Sequence, residues 1–202
     1  MDINSVRLIA ALLAVAAASV FVTNGCLVPV KSASGDTAEN AAGRGFLAEA
    51  IVDNWWRVSA LSARRTIAQY GVPDEVRPEY LVWRARGPFK RTVVRNVTPP
   101  YVSGDELGVV EQTIRYTLQP QQIAELRKFD RKLRYEPGAR ELGARSDREE
   151  VNYLRLNLAD DIVRRRMTPE EARRFHERAL ALENTGKTSP YMQGLRFEPE
   201  PE

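Results

Sequence analysis

The sequence predicts an α+β domain. In it, a small and mostly antiparallel sheet packs with a long N-terminal helix and a C-terminal helical hairpin. Residues 80–97 are rich in β-branched and aromatic residues on both sides of a Gly-Pro turn, as expected of a β-hairpin. Apolar residues recur at spacings of three, four and six over 46–70, and an apolar stripe recurs over 151–182, which is typical of amphipathic helices.

We predict strands where side chains of alternating character lie between residues that favour turns. In the central hairpin the strands are 80–84 and 89–97, and 85–88 form the turn. Residues 109–118 alternate as a third strand, and residues 133–135 and 140–145 flank a Glu-Pro-Gly-Ala turn as a second hairpin. We therefore expect about four or five short strands and two hairpins.

The helices are delimited by their end signals. Gly71 and Pro73 close the helix over 46–70, and Pro120 opens a short helix after the third strand. The pattern Ser/Thr-x-x-Glu at 146–149 and at 168–171 predicts a capping box at the start of each of the last two helices.

Adjacent Trp55 and Trp56 are about 100° apart on a helix and cannot both face one core. Trp56 either lies over the domain's own sheet or is a candidate partner contact.

Composition limits the function classes. The 202 residues include 43% apolar residues, which suits one domain with a single core. Thirty basic and 27 acidic residues leave a net charge of +3, and the longest basic run, 164–166, lies at a predicted helix end where cations complement the helix dipole. This balance does not favour nucleic-acid binding.

The N-terminal segment is an export or membrane signal. Residues 8–22 carry no charge and follow Arg7, but as a helix they would rise only about 22 Å, short of a hydrocarbon core of about 30 Å. Continued to Val30, the segment is long enough to span. It is a cleaved signal peptide, a lipoprotein leader acylated at Cys26 after Gly25, or an uncleaved anchor. In each case the N-terminus starts in the cytoplasm and the main domain lies in the periplasm.

The predicted organisation has four parts. A signal peptide or anchor covers 1–30, a linker covers 31–45, and the α+β domain covers 46–186. The tail, 187–202, has no apolar period and is expected to be disordered or extended, docking on a neighbour rather than stabilising the domain. Its candidate anchors for a partner are Tyr191, Met192, Leu195 and Phe197.

Several motifs resemble a family of bacterial exported proteins without an assigned activity. Residues 70–76, Tyr-Gly-Val-Pro-Asp-Glu-Val, are similar to that family's Tyr-Gly-Pro-Pro-Asp-Glu-Val, and they precede Leu-Val-Trp and Gly-Pro-Phe-Lys-Arg-Thr-Val-Val runs. The likeness continues to Asp-Ile at 161–162. Phe89 stands where the family has Trp, and Ser146 where it has Cys. The resemblance implies one exported domain and no particular chemistry.

The sequence contains no recognisable catalytic motif. His176 is the single histidine and lies among arginines, where neighbouring cations disfavour its protonation. Asp160 and Asp161 are consecutive and should point to different sides of a helix, so they predict no paired-carboxylate site. No phosphate loop, nucleophile elbow or metal-ligand spacing is present. We predict no enzyme activity, no cofactor and no metal.

The function predicted from these observations is interaction. The chain is expected to be a membrane-anchored periplasmic domain, an accessory or structural subunit of a membrane protein complex such as a respiratory or photosynthetic one. Its expected partners are other membrane-protein subunits and, through residues 8–30, the lipid bilayer. The alternative is a free periplasmic lipoprotein that acts as a small-molecule carrier or as an enzyme.

Overall fold

A six-stranded antiparallel sheet with helices on one of its faces forms the core of the α+β domain. The computed structural model describes residues 38–98 and 108–201, and the predicted leader, with Cys26, lies outside these ranges. The strand order is β1-β2-β3-β4-β6-β5. In chain order the elements are α1 Ala38–Val52, α2 Arg57–Tyr70, β1 Glu75–Arg77, β2 Tyr80–Arg86, β3 Phe89–Arg95, β4 Val110–Arg115, α3 Pro120–Phe129, β5 Leu133–Glu136, β6 Glu141–Ser146, α4 Glu149–Val163 and α5 Pro169–Glu183.

The central hairpin predicted from sequence is confirmed. Strands β2 and β3 pair from Tyr80 opposite Arg95 to Arg86 opposite Phe89. Gly87, the first residue of the two-residue turn, has a positive φ angle of 57°, the backbone that a tight turn between twisted strands needs. The second predicted hairpin is present as β5 and β6.

The sheet has six strands, where the sequence predicted four or five. The missed strand is β1, which has only three residues and pairs with β2. Three residues are too few for alternation to be visible in a sequence, so only the pairing with β2 identifies this strand.

The predicted long helix over 46–70 is two helices. Helix α1 begins at Ala38, inside the predicted linker, and ends at Val52, while α2 begins at Arg57. Asp53 and Asn54 form the turn between them, because short polar side chains compete with helical hydrogen bonds. The break lets Trp55 turn inward, where its indole N–H donates to the Pro78 carbonyl at 2.7 Å.

Helices α4 and α5 form the predicted C-terminal pair, but only one predicted capping box is present. The Thr168 hydroxyl accepts a hydrogen bond from the Glu171 amide at 3.3 Å. The box predicted at Ser146 is wrong. The Ser146 hydroxyl bonds within its own turn to the Arg148 carbonyl, and α4 begins after Arg148 without a side-chain cap.

All five helices pack on the same face of the sheet. Helices α1 and α2 cover Leu81, Trp83 and Val94, while α3, α4 and α5 cover the other half of this face, including Ile114 and Leu142. The register of the strands places these side chains on one side. Among the described residues, no helix is long and apolar enough to cross a membrane.

Candidate interaction surface

The second face of the sheet, which we call the open face, carries no helix of the described part of the chain. Strand alternation places charged side chains there, since their neighbours in each strand point into the core. Val82 and Val93 lie at its centre, opposite each other in β2 and β3. Arginine stems flank these two valines, with the guanidinium heads partly exposed. The residues of this face are Glu75, Arg77, Val82, Arg84, Arg91, Val93, Arg95, Glu111, Thr113, Arg115, Glu141 and Arg145.

Three glutamates on the open face are each held between two basic side chains. Glu75 contacts Arg77 at 3.2 Å and Arg84 at 3.1 Å.

Glu141 contacts Lys90 at 2.8 Å and Arg91 at 3.4 Å, and Glu111 contacts Arg95 at 3.7 Å and also Arg145. Six cations thus share three carboxylates, so this network keeps a surplus of positive charge.

The geometry leaves arginine donors available for a partner. A guanidinium has five N–H groups, and one shared carboxylate cannot satisfy them all. The Nε–H groups of Arg91, Arg95 and Arg115 have no acceptor among the residues that the structure describes, but these atoms are buried and therefore closed to a partner. The side chains of Arg84, Arg91 and Arg95 are 56%, 43% and 40% exposed, so N–H groups at the exposed ends of these side chains can reach a ligand. Planar carboxylates are the groups that such donors bind best.

The electrostatics of the open face lower the pKa of two of its glutamates, Glu75 and Glu111. Burial raises the pKa of Glu111, but the hydrogen bond from Arg145 and the charges of Arg145, Arg95 and Arg91 outweigh it, and the pKa is lowered overall. Hydrogen bonds from Arg84, Arg77 and Tyr80 lower the pKa of Glu75. Partly exposed ion pairs contribute only about 0–1 kcal/mol each. The network therefore contributes little to the stability of the fold. Its main consequence is that it holds the basic hydrogen-bond donors of the open face in fixed positions.

A second charged cluster lies at the end of α4. The sequence predicted that Asp160 and Asp161 point to different sides, but Arg166 contacts both carboxylates. The helix ends here and Arg165 takes a positive φ of 58°, which turns the chain back over both side chains. Arg164 also bonds to Asp160 at 2.9 Å.

Tyrosines complete this cluster. Tyr116 donates to Asp160 and Tyr191 donates to Asp161, each at 2.7 Å. Burial and the hydrogen bond to Asp160 raise the pKa of Tyr116. The carboxylates therefore act as acceptors for structural donors, an arrangement that ties the end of α4 to β4 and to the tail.

A third polar cluster surrounds Glu149 at the start of α4. Its carboxylate accepts from Gln69 at 2.7 Å and also from Tyr70 and Gln112. Burial, followed by the hydrogen bond to Glu149, raises the pKa of Tyr70, and burial with the charge of Glu149 raises that of Tyr153. Both phenols stay protonated at neutral pH, so they are hydrogen-bond donors there and not bases.

His176, the single histidine of the sequence, packs at the edge of α5. The His176 ring lies edge-on to Phe129, with ring centroids 6.3 Å apart. Among the described residues, no three His, Cys, Asp or Glu side chains come close enough to hold a metal ion.

Trp56, predicted to lie over the sheet or to contact a partner, is 51% exposed. Its backbone N–H is fixed by the Asn96 side chain at 3.1 Å, while the ring stays accessible. Phe46 is 80% exposed, and Leu47, Val58 and Leu61 are also exposed on α1 and α2. Trp56 therefore remains a candidate partner contact.

The tail does not extend away from the domain. Met192 is fully buried, and Tyr191, Leu195 and Phe197 pack against the same core. The prediction that these four residues serve a partner and not the fold is wrong for Met192, which has no surface left to offer. An aperiodic segment can still be ordered when side chains satisfy its backbone groups.

Asn157 supplies those bonds. Its amide donates to the carbonyls of Tyr191 at 2.9 Å and Gly194 at 2.8 Å, and it accepts from the Arg196 N–H at 2.7 Å. Further on, Glu200 accepts from the Thr117 N–H and hydroxyl. The tail is thereby fixed to α4 and to the end of β4.

Comparison of the chain with protein-family models, with curated proteins and with solved structures finds no match. The resemblance to an exported family therefore stays a prediction from the motifs alone.

Sequence reasoning found part of the open face and missed the rest. The alternation of Arg91, Val93 and Arg95 was visible in the sequence. Glu111 and Glu141 were not recognisable as their partners, because the pairing of β4 with β3 and β6 brings them together over 16 to 50 positions. The clusters at Glu149 and Asp160 also depend on long-range packing and have no local signal.

Proposed function

We propose that this chain is a non-enzymatic interaction domain, held at the periplasmic side of a bacterial cytoplasmic membrane, which docks onto an acidic surface of a membrane-protein subunit. The observation that carries the proposal is the open face, where six cations share three glutamates. Complementary charge steers association and fixes the register of an interface.

The attachment to the membrane rests on the sequence. Residues 8–30 are an apolar segment preceded by Arg7, and tethering there would keep the domain close to membrane partners at a high effective concentration. The exposed apolar residues of α1 and α2, Phe46 and Trp56 among them, follow that segment in the chain and support a role in contact.

The state of the N-terminus can be measured by intact-mass analysis of the native protein. A mass that includes all 202 residues supports an anchor. Loss of the residues before Cys26 with added lipid supports a lipoprotein, and loss of about 18 residues at the Ala-rich segment supports a cleaved signal peptide.

The docking proposal is tested by charge reversal on the open face. In full-length protein, Arg84→Glu, Arg91→Glu and Arg95→Glu together should abolish co-purification with membrane partners in mild detergent. The control combines Arg174→Glu, Arg178→Glu and Lys187→Glu, exposed positions on α5 and just after it, with the same change of charge. The control should co-purify like the wild type.

Three further conditions make the result decisive. Circular dichroism must give folded spectra for both triple variants, and the corresponding Gln substitutions provide a milder version if the Glu variant unfolds. Association of the wild type should weaken as salt rises, because screening reduces attraction between exposed charges. Equal loss in both triple variants, or no loss in either, contradicts docking through the open face.

A second candidate function is the binding of a small molecule, as in the carrier alternative predicted from sequence. It is favoured by one observation, a cavity of about 940 Å³ beside α3.

A further inference from the structure

A cavity lies between α3 and the β5–β6 hairpin, apart from the open face. Its volume of about 940 Å³ falls within the range of about 300–1,000 Å³ that is typical of ligand sites. The floor is made of apolar and aromatic side chains, among them Ile123, Leu126, Phe129, Leu133 and Tyr135. A floor of this kind favours an apolar body in the ligand.

The floor is built from fixed side chains. Leu126 and Phe129 are buried in the core that α3 shares with α4 and α5. The Tyr135 hydroxyl accepts a hydrogen bond from the Leu118 N–H at 3.0 Å, which holds its ring across the cavity. Ile123 and Leu133 are only partly buried, so they present apolar surface to the cavity.

The rim of the cavity is cationic. Five basic side chains line it, and no acidic side chain of the described residues does. Lys128 pairs with Glu125 at 2.7 Å and Arg173 pairs with Glu170 at 2.8 Å. The remaining three, Arg127, Arg131 and Arg134, are exposed and form no ion pair within residues 38–98 and 108–201.

An apolar floor beneath unneutralised arginines matches one ligand chemistry. We propose that the cavity binds a single-chain anionic amphiphile, whose carboxylate or phosphate head contacts Arg127, Arg131 and Arg134 while its hydrocarbon chain lies along the floor. Guanidinium groups bind both kinds of head group in a bidentate manner. The hydrocarbon chain gains affinity from burial alone.

A peptide fits the cavity less well than an amphiphile. Its backbone N–H and C=O groups would need partners, and burying them without hydrogen bonds is costly. The one polar group among the floor residues is the Tyr135 hydroxyl, which already accepts the Leu118 N–H. A hydrocarbon chain makes no such demand.

The test uses the full-length chain in phosphatidylcholine nanodiscs, with empty nanodiscs as the background. The probe is 11-(dansylamino)undecanoic acid, whose fluorescence reports binding, and it is displaced by saturated carboxylates of increasing length. We expect saturable binding that tightens about three- to fourfold per added CH₂, the value for full burial of a methylene, until the chain exceeds the floor. Dodecyl phosphate compared with dodecanoate distinguishes the two head groups.

Matched variants separate charge from apolar contact. Arg127→Gln, Arg131→Gln and Arg134→Gln together should weaken dodecanoate binding at least tenfold and leave dodecanol displacement unchanged. The control, with Arg57→Gln, Arg65→Gln and Arg174→Gln, should bind like the wild type. Ile123→Trp, which fills the floor, should weaken both dodecanoate and dodecanol.

Two outcomes would overturn the proposal. One is dodecanoate binding that is equally tight in the wild type and in the rim triple variant. The other is displacement of the probe by an acidic leucine-containing peptide but not by dodecanoate. Neither outcome bears on the open face, because Arg84, Arg91 and Arg95 are unchanged throughout.

Discussion

Two tryptophans show how burial at single residues decides which side chains hold the domain together. Trp83 is fully buried in β2 and donates its indole N–H to the Gly71 carbonyl at 2.9 Å, whereas Trp56 is half-exposed. We predict that Trp83→Ala lowers the free energy of unfolding by about 3–5 kcal/mol. Trp56→Ala should cost less than about 1 kcal/mol. Urea unfolding of the two variants measures both, and equal costs would contradict the assigned burial.

The buried carboxylate of Asp160, at the end of α4, leads to a second prediction about a single residue. Asp160 is buried and accepts from Tyr116 and Arg164, with Arg166 alongside. Asp160→Asn should cost about 1–3 kcal/mol, because the donors lose a charged acceptor but both arginines can still reach water. The matched change Glu170→Gln removes the exposed pair with Arg173 and should cost under about 1 kcal/mol. A smaller loss for Asp160→Asn than for Glu170→Gln would rule out a structural role for this cluster.

At the residue scale, the burial of Trp83 can be inferred from its residue type and place in the hairpin, whereas the role of Asp160 cannot be inferred from sequence. A tryptophan in a β-hairpin signals burial by its type alone. The partners of Asp160 are a tyrosine 44 positions earlier and two arginines beyond the helix end. The spacing of Asp160 and Asp161 indicated only that their side chains point to different sides of a helix. It could not indicate that the chain turns back at Arg165.

At the scale of elements, the tail belongs to the fold. Met192 is buried against α4, and Asn157 bonds the backbone of the tail. We predict that deleting residues 187–202 lowers the melting temperature. Met192→Ala should cost about 2–5 kcal/mol, and Met192→Leu should cost under about 1.5 kcal/mol.

Thermal denaturation followed by circular dichroism tests both claims about the tail. An unchanged melting temperature after the deletion would mean that the tail is not packed on the domain.

Element types were predictable from sequence where a period runs for many residues, and boundaries were not. The hairpin of β2 and β3 and the helices α3 and α5 agree with prediction. The break between α1 and α2 was missed because apolar spacing continues across it, and only the turn at Asp53 and Asn54 marks it. The tail was missed because its order comes from Asn157, a residue of another element.

At the scale of the whole molecule, the distribution of charge predicts a dependence of stability on pH. The pKa values of Glu75, Glu111, Glu171 and Glu200 are lowered in the folded state. The folded protein therefore binds protons at these groups more weakly than the unfolded chain, whose glutamates have pKa values of about 4.3. Their contribution to stability is complete above that value and is lost as pH falls through the lowered pKa values.

We predict that the urea midpoint falls as the solution is acidified below about pH 5. Glu111→Gln should reduce this acid-induced fall, because one of the contributing groups no longer titrates. The control Glu136→Gln changes an exposed glutamate at the end of β5 and should leave the fall unchanged. A midpoint that rises with acidification would contradict the lowering of these glutamate pKa values by folding.

The assembly of the open face explains why this candidate surface was harder to predict than the fold. Its residues come from β1, β2, β3, β4 and β6, and only the antiparallel register places the three glutamates between basic side chains. The net charge of +3 concealed this surplus, because acidic residues elsewhere balance it. Composition describes the whole chain, whereas a partner meets one face.

Site-specific photo-crosslinking of the full-length protein in its native membrane tests docking through the open face most directly. A photoreactive residue replaces Arg84 or Arg115 on the open face, or Glu150 or Glu177 on the helical side. We predict one discrete protein adduct from each open-face position, lost at high salt, and none from Glu150 on α4 or Glu177 on α5. Adducts from the helical positions alone, or the same yield from all four, would contradict the proposal.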